Sequence, residues 1–259
     1  MTQTLRSLAL IRELAEKGYR IFSVDEVRSI TRLLGLKDSY VPQLLKRCVQ
    51  DGSLLSLYRG VYCLNQSLTS GAPISEYEIA NYIIKPSALA FWSAMTIHQL
   101  TDQVLREVFI VASREDAHHS SQSLFTIQDT QYHVMRVKQN YFFGIEKKFL
   151  TEIPIVVTDL EKTLIDTLVR PDLCGGFRES MTAFQMGWDR VNIPTLITYG
   201  QKFGVSVLKR VGWVCETLEL ENPYIDELRA IPCVSCYKLD VSRKPAGRIA
   251  RAWSLRENI

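Results

Sequence analysis

The sequence predicts an α+β fold in two domains, and three observations support this prediction. In residues 22–64, two helical patterns precede a pair of β-prone segments. Beyond residue 100, β-prone segments come in one block and helical segments in another. This order is typical of α+β domains, because a doubly wound sheet alternates strands with helices. Residues 65–75 gather Asn, Ser, Gly and Pro without periodicity, so we predict a linker there and domains at 1–70 and 71–259.

The first two helices are predicted from apolar periodicity and end signals. In residues 4–17, the helical stripe expected to face the core consists of Leu5, Leu8, Ile11, Leu14 and Ala15. Ser23 is a suitable N-cap for the second helix, and Glu26 three residues later completes a capping box. Gly35 supplies a left-handed residue that ends this helix.

The third helix should have Asp38 or Ser39 as its N-cap and should end at Gly52. Its apolar positions recur at helical spacing and form one face, made of Val41, Leu44, Leu45, Cys48 and Val49. The opposite face carries Tyr40, Gln43, Lys46, Arg47 and Gln50. The segment LLSLYRGVYCL then predicts a β-hairpin with its turn at Arg59-Gly60.

This order of elements is that of a winged helix-turn-helix, whose second helix enters the DNA major groove. The polar face suits that role, because amide and basic side chains bind base edges and phosphates. We therefore predict that double-stranded DNA is bound by Ser39, Tyr40, Gln43, Lys46, Arg47 and Arg59. The alternative is a polar face that is merely solvated, as such faces usually are.

Charge is distributed unevenly along the chain. Residues 1–70 contain ten Lys and Arg against six Asp and Glu, a balance of +4. Residues 71–237 contain fifteen against twenty, a balance of −5, and residues 238–259 contain six against two, a balance of +4. Basic ends around an acidic middle indicate that the ends, more than the centre, would meet nucleic acid.

Composition and cysteine usage predict a cytoplasmic protein that is not embedded in a membrane. No apolar run approaches the roughly 18 residues that a membrane span needs. The first twenty residues alternate apolar and charged positions, unlike a signal peptide. The six cysteines are scattered without a framework, which fits a reducing compartment.

The second domain should open with two helices, ISEYEIANYIIK and SALAFWSAMTIHQL, the latter capped by Ser87. Several β-prone segments follow, of which VFIVA has the apolar run of a buried strand. Thr158 or Asp159 should cap the helix LEKTLIDTLV, and three more helical segments come after it.

Cys233 and Cys236 form a C-x-x-C pair, the obvious candidate for a metal or redox site. A structural zinc takes four ligands, and the other four cysteines stand singly. In a strand, moreover, the two thiols would point to opposite faces. We therefore expect two small buried side chains and no metal.

No enzyme emerges from the second domain. A superficial likeness to a metal-dependent nuclease comes from Asp159, Glu161, Lys162 and Asp166. However, that chemistry needs an acid, one spacer and then a lysine. Because Lys162 and Asp166 lie at i, i+4, they predict a surface ion pair worth a few tenths of a kcal/mol. His98 and His133 have no nucleophile or carboxylate at a recognisable spacing. We expect no catalytic residue and no cofactor.

The C-terminal segment is basic and is built around a Pro-Ala-Gly turn. We expect a strand, this turn and a last strand, with Trp253 and Leu255 facing the core. The turn would then present Arg243, Lys244 and Arg248 together as a candidate second contact to nucleic-acid phosphates. The alternative is a solvated basic turn.

Several segments in their order along the chain resemble a known family. They are LYRGVYCL, SALAFWSAMTIHQLTDQV, IPIVVTDLEKTLIDTLVRPDLCGG and LDVSRKPAGRIARAWSLREN. Together they resemble the AbiEi family, the antitoxins of type IV (abortive-infection) toxin–antitoxin systems. The resemblance spans about residues 5–258. Its strongest parts are 154–176, with a T-L-x-D core at Thr163, Leu164 and Asp166, and the ending Gly247…Trp253…Asn258.

The resemblance implies an N-terminal domain that represses its own promoter and a C-terminal domain that opposes a nucleotidyltransferase toxin, generally without a stable complex. Thr163 and Asp166 would be motif residues of this antitoxin domain. Three readings follow: an autorepressing antitoxin, a stand-alone regulator whose second domain binds a ligand or oligomerises, and a nucleic-acid enzyme. The enzyme reading would require a carboxylate cluster with metal-ligand spacing, which we do not find in the sequence. A nucleotidyltransferase gene immediately downstream would favour the first.

Overall fold

The computed structural model of the chain describes residues 3–65, 73–104, 106–115, 122–150 and 153–259. Its fold is α+β, as the sequence predicts. Two compact units are distinguished, one formed by Met1–Lys85 with Phe125–Gln131 and the other by Pro86–Leu124 with Tyr132–Ile259. The linker predicted at 65–75 lies largely outside the described residues, and the boundary near residue 70 stays a prediction.

The N-terminal unit begins with α1 (Gln3–Glu16), β1 (Ile21–Ser23) and α2 (Val24–Leu33). After a 3-10 turn at Asp38–Tyr40 come α3 (Val41–Gln50), β2 (Leu54–Tyr58), β3 (Val61–Leu64) and α4 (Glu76–Ile83). The three strands form an antiparallel sheet in the order β1-β3-β2. The helices and hairpin thus follow the predicted order, and β1 is an addition that is too short to show an alternating pattern.

Local sequence signals account for the ends of most of these elements. Ser23 Oγ accepts a hydrogen bond from the Glu26 N–H at 3.3 Å, and the Glu26 carboxylate accepts one from the Ser23 N–H at 2.6 Å. This is the predicted capping box. Gly35 and Gly60 adopt φ of +72° and +73°, which glycine reaches without steric cost. The N-cap predicted for α3 is wrong, because Asp38 and Ser39 belong to the 3-10 turn that precedes the helix.

The core of this unit uses only part of the predicted face of α1, because Leu14 of that face is buried and Ala15 is exposed. Leu10 and Leu14 are fully buried, together with Ser7, whereas Leu5 and Leu8 are 51% and 61% exposed. Helix α1 carries apolar residues on two faces, so periodicity alone could not identify the inward one. The other main core residues are Phe22, Val27, Ile30, Val41, Leu44 and Leu45.

A six-stranded sheet contains β4 (Ser87–Leu89), β5 (Glu107–Ser113), β6 (Leu124–Ile127), β7 (Thr130–Val137), β8 (Ile145–Leu150) and β9 (Ile153–Thr158). Its order is β6-β7-β5-β4-β9-β8. The prediction that a helix starts at Ser87 is therefore wrong. Ser87–Leu89 is a strand, and the helix of this segment is α5 (Phe91–Ile97). Leu89 is fully buried and pairs with both Ile110 and Val157, so tertiary pairing overrides helix propensity here.

The helices of the second unit follow this sheet in sequence. They are α6 (Leu160–Val169), α7 (Phe177–Gly187), α8 (Ile193–Phe203), α9 (Val205–Thr217) and α10 (Ile225–Ala230). The predicted block of strands followed by a block of helices is thus present. As predicted, Asp159 caps α6, since its Oδ1 accepts a hydrogen bond from the Lys162 N–H at 2.7 Å.

The C-terminal segment adds a small sheet of β10 (Tyr237–Lys238), β11 (Ile249–Ala250) and β12 (Leu255–Arg256). Strand β12 is the middle strand, parallel to β10 and antiparallel to β11. Trp253 and Leu255 are buried, as expected. However, Trp253 lies in a 3-10 turn rather than in the last strand. Its ring packs directly on Gly212, where a β-carbon would lie 2.1 Å from Trp253 Cζ3.

Candidate nucleic-acid interface

Helix α3 has one buried face and one polar outer face, as its sequence predicts. Val41, Leu44, Leu45 and Cys48 are buried, although Val49 is partly exposed. On the other side of the helix, Gln43 and Lys46 are exposed and Arg47 is half-buried. The 3-10 turn before the helix presents an exposed Ser39 and a half-buried Tyr40. Five of the six predicted DNA-binding residues therefore lie on one continuous segment.

The sixth predicted residue, Arg59, is exposed at the turn between β2 and β3. Lys46 and Arg59 have no hydrogen-bond or ion-pair partner among the residues that the structure describes. Both cations can therefore bind an external phosphate without first breaking an internal ion pair. By contrast, the exposed Arg12 and the half-buried Arg28 of the same unit are paired with Glu16 and Asp25.

Arg47 is engaged more closely than the sequence suggests. Its Nη2 donates a hydrogen bond to Thr4 Oγ1 at 3.2 Å, so the guanidinium lies against α1. Arg47 therefore links the two helices and has a structural role as well as being a predicted DNA-binding residue. Sequence spacing could not indicate this contact, because Thr4 is 43 residues away.

Arg6 of α1 is a cation that the sequence analysis missed. Its guanidinium carbon lies 5.2 Å from the centroid of the Tyr40 ring, a distance typical of a cation–π contact. Arg6 Nε is buried and has no hydrogen-bond partner in the described part of the chain. Arg6 thus adds a positive charge beside the N-terminal end of α3. Its position in a helix assigned to the core gave no signal of this role.

The turn between α2 and α3 is held by a two-point ion pair. Arg32 Nε and Nη2 donate to Asp38 Oδ1 and Oδ2 at 3.0 Å and 2.5 Å. The hydrogen bond from Arg32 holds the pKa of Asp38 below its ordinary value. This pairing explains why Asp38 does not cap α3. It also fixes the geometry of the segment that leads into the polar face.

The C-terminal basic turn is less free than predicted. All three predicted residues, Arg243, Lys244 and Arg248, are exposed. However, Arg243 Nε lies 3.4 Å from Asp240 Oδ2, and Arg248 is paired with Glu257. Two of the three charges are therefore offset by neighbouring acids, and Lys244 is left as the cation without such a partner in the described residues.

Asn258 fixes the shape of this turn. Its Nδ2 donates to the carbonyl oxygens of Asp240 and Lys244 at 2.8 Å and 3.1 Å, and its Oδ1 accepts from the Asp240 N–H at 2.9 Å. Gly247 adopts φ +81°, and a β-carbon there would lie 2.1 Å from the Glu257 carbonyl oxygen. Gly247 and Asn258 of the family-like ending therefore have structural roles.

Thr163 and Asp166 are both buried in α6. Thr163 Oγ1 donates to the Asp159 carbonyl at 2.7 Å and lies 2.9 Å from Thr158 Oγ1. Asp166 forms an ion pair with Lys162, and both side chains are only 4% exposed. The surface ion pair predicted for these residues is therefore wrong, because the pair lies inside the second unit.

Burial dominates the electrostatics of this pair. Desolvation raises the pKa of Asp166, although the Lys162 ammonium opposes the shift. Asp166 Oδ2 has no hydrogen-bond partner among the described residues. The Lys162 ammonium lies 5.4 Å and 5.3 Å from the ring centroids of Phe143 and Phe203. The motif residues thus support the interior of this unit and are not presented at its surface.

His98 is a buried, neutral histidine. One ring nitrogen, Nε2, lies 2.7 Å from the Thr158 carbonyl oxygen and must therefore carry the proton. The other, Nδ1, lies 3.1 Å from Lys148 Nζ and accepts its hydrogen bond. Burial lowers the pKa of His98 to about 4.

The two cysteines of the C-x-x-C pair are more exposed than we expected. Cys236 is exposed and Cys233 is half-buried, so the expectation of two buried side chains is wrong. The segment is bent at Val234 and Ser235 instead of extended, and both cysteines line one recess. Within the described residues, no group of three or more His, Cys, Asp or Glu side chains could hold a metal ion. Nor is any described helix long and apolar enough to cross a membrane.

Comparisons with known proteins bear on the fold. No protein-family model and no curated protein sequence matches the chain. Among solved structures, the chain is similar to the crystal structure of the RV2827C protein from Mycobacterium tuberculosis, with a TM-score of 0.63 and 10% sequence identity. The similarity covers 96% of this chain and 90% of that chain. A likeness at this identity supports the α+β fold over nearly the whole chain.

Proposed function

We propose that the N-terminal unit is a winged helix-turn-helix that binds double-stranded operator DNA with α3 in the major groove. The observation that carries this proposal is the outer surface of α3, where Gln43 and Lys46 are exposed above a fully apolar inner face. The arrangement α1-β1-α2-α3-β2-β3 supports it, because the helix after the turn is the reading helix in such units.

The side chains divide into reading and positioning roles. Gln43 reads a base edge, since an amide can donate and accept at adenine. Lys46 and Arg59 bind phosphates, as does Ser39 beside the helix N-terminus. Arg47 and Tyr40 are held from α1 by Thr4 and Arg6, so these contacts are pre-organised before DNA arrives.

We further propose that the chain is an autorepressing antitoxin without catalytic activity, which counteracts a nucleotidyltransferase toxin. The order of sequence segments that resemble the AbiEi family supports this part of the proposal. Because Thr163 and Asp166 are buried, we assign them to the stability of the second unit and not to contact with a toxin. The toxin-opposing surface then lies elsewhere on this unit.

The DNA-binding part is tested with the full chain and the DNA upstream of its own gene. Lys46→Glu should abolish a gel shift at moderate salt, because it replaces a phosphate contact by a repulsion. Lys147→Glu is the matched control, since Lys147 is an equally exposed lysine of the second unit. Equal binding by both variants and the wild type would refute the assignment of α3.

The antitoxin part is tested by co-expression with a nucleotidyltransferase toxin, taken from the adjacent gene where the neighbouring DNA encodes one. The full-length Lys46→Glu variant should still protect cells from the toxin although it no longer represses the promoter. Failure of the wild-type chain to protect would favour a stand-alone transcriptional regulator. If the wild type protects and Lys46→Glu does not, then repression of the promoter, and not the second unit, is the protective activity.

A further inference from the structure

The two cysteines of the C-x-x-C segment share one surface recess. Cys233, Cys236 and Arg251 line it together with Ser254 and Ile249, and its volume is about 300 Å³. Bends at Val234 and Ser235 turn the chain between the two cysteines. Both thiols are free. The two cysteines therefore border one recess and are joined by a short bent segment.

These two thiols differ from the other four cysteines of the chain. Cys48, Cys63, Cys174 and Cys215 are all buried, at 2% exposure or less. Burial raises the pKa of Cys63 and Cys215 to about 11, which suppresses their reactive thiolates near neutral pH. Solvent access thus concentrates thiol chemistry on Cys233 and Cys236.

The C-x-x-C segment can also change its conformation without disturbing the core. Val234, between the two cysteines, is fully exposed, and Cys236 makes only a long hydrogen bond, with Sγ 3.8 Å from the Tyr237 carbonyl oxygen. The residues that follow are ordered, because the Tyr237 N–H donates to the Ser254 carbonyl at 3.0 Å and the Leu239 N–H to the Arg256 carbonyl at 2.9 Å. The segment is therefore adjacent to the sheet that supports the basic turn.

We propose that Cys233 and Cys236 form a dithiol–disulfide site that reacts with small organic disulfides and closes an intrachain disulfide. In the first step, one thiolate attacks the organic disulfide, which forms a mixed disulfide and releases one small thiolate. In the second step, the other cysteine's thiolate attacks the mixed disulfide, forms the Cys233–Cys236 bond and releases the second small thiolate. The chain loses two electrons and two protons, and the organic disulfide is reduced to two thiols.

Formation of the Cys233–Cys236 disulfide should also affect the neighbouring sheet of β10, β11 and β12. A disulfide between residues three apart restricts the chain just before β10. We therefore expect slower hydrogen exchange at the amides of Tyr237 and Leu239, since local opening of this edge becomes less favourable.

The test uses the native full chain, oxidised glutathione as the organic disulfide, and intact-mass analysis after acid quenching. The wild type should become lighter by two hydrogen atoms and carry no glutathione. Cys233→Ser and Cys236→Ser should each accumulate one glutathione adduct instead, because the resolving thiol is missing. Cys236 is exposed and Cys233 is half-buried, and serine is close to cysteine in size, so neither substitution should disturb folding.

The double variant Cys233→Ser/Cys236→Ser is the control and should stay unmodified. The proposal is overturned if the wild type gains stable glutathione adducts. It is likewise overturned if the wild type remains fully reduced under conditions in which a free thiol such as that of glutathione is oxidised. The proposal is also overturned if the double variant reacts with oxidised glutathione to the same extent as the wild type. The reaction would then occur at one of the other four cysteines.

Discussion

Breaking the buried Lys162–Asp166 pair should strongly destabilise the second unit. Asp166→Asn keeps the shape of the side chain but leaves the Lys162 ammonium without its counter-charge, in a position where it is 3% exposed. Removing one partner of a buried pair costs about 3–5 kcal/mol.

The aromatic surroundings of Lys162 reduce this magnitude. The rings of Phe143 and Phe203 near the ammonium contribute about 0.5–2 kcal/mol that remains in the variant. We therefore expect a loss of about 2–4 kcal/mol, a large share of the roughly 5–15 kcal/mol that holds a typical protein folded. A surface pair, as predicted from sequence spacing, would contribute only about 0.2–0.5 kcal/mol.

Urea unfolding followed by circular dichroism at pH 7 measures this difference. The double variant Lys162→Met/Asp166→Leu is the matched control, because it removes both charges and the unpartnered Asp166 Oδ2. It should unfold within about 1 kcal/mol of the wild type or be more stable. A loss below about 1 kcal/mol in Asp166→Asn would refute the reasoning.

Three further predictions test other parts of the account. Because burial lowers the pKa of His98 to about 4, the unfolded chain binds a proton there that the folded chain does not. Stability should therefore fall by about 2 kcal/mol between pH 8 and pH 5, and His98→Gln should flatten this slope in urea titrations. Gly212→Ala would place a β-carbon 2.1 Å from Trp253 and should cost about 1–3 kcal/mol in thermal unfolding. Gly200→Ala, which meets the flexible end of Leu208 at 2.8 Å, should cost less. Finally, Lys244→Glu should change the log–log salt slope of DNA binding by about one unit if the tail binds phosphate, and by nothing if the tail is only solvated.

Features that depend on neighbouring residues were predictable from the sequence. The Ser23–Glu26 capping box involves residues three apart, and Gly35 and Gly60 mark turns by their own backbone freedom. Likewise, the apolar and polar faces of α3 follow from spacing alone, and so the main candidate site was found before the structure. The order of helices and hairpin could be read from the same local signals.

Features that depend on distant contacts were not predictable. The strand at Ser87–Leu89 exists because it lies between β5 and β9, which helix propensity does not report. Asp166 and Lys162 have the spacing of a surface pair, and only packing of α6 within the second unit shows that they are buried. The contact of Arg6 with Tyr40 spans two helices, so no local pattern identifies Arg6 as part of the interface.

Base specificity at the outer face of α3 is the most direct test of the central claim. Fluorescence anisotropy should compare wild type and Gln43→Ala on the operator and on operators with single base-pair changes. If Gln43 reads a base edge, its loss should weaken operator binding by about 1–3 kcal/mol and remove the preference at one base pair only. Unchanged affinity and an unchanged preference at every position would contradict the placement of α3 in the major groove.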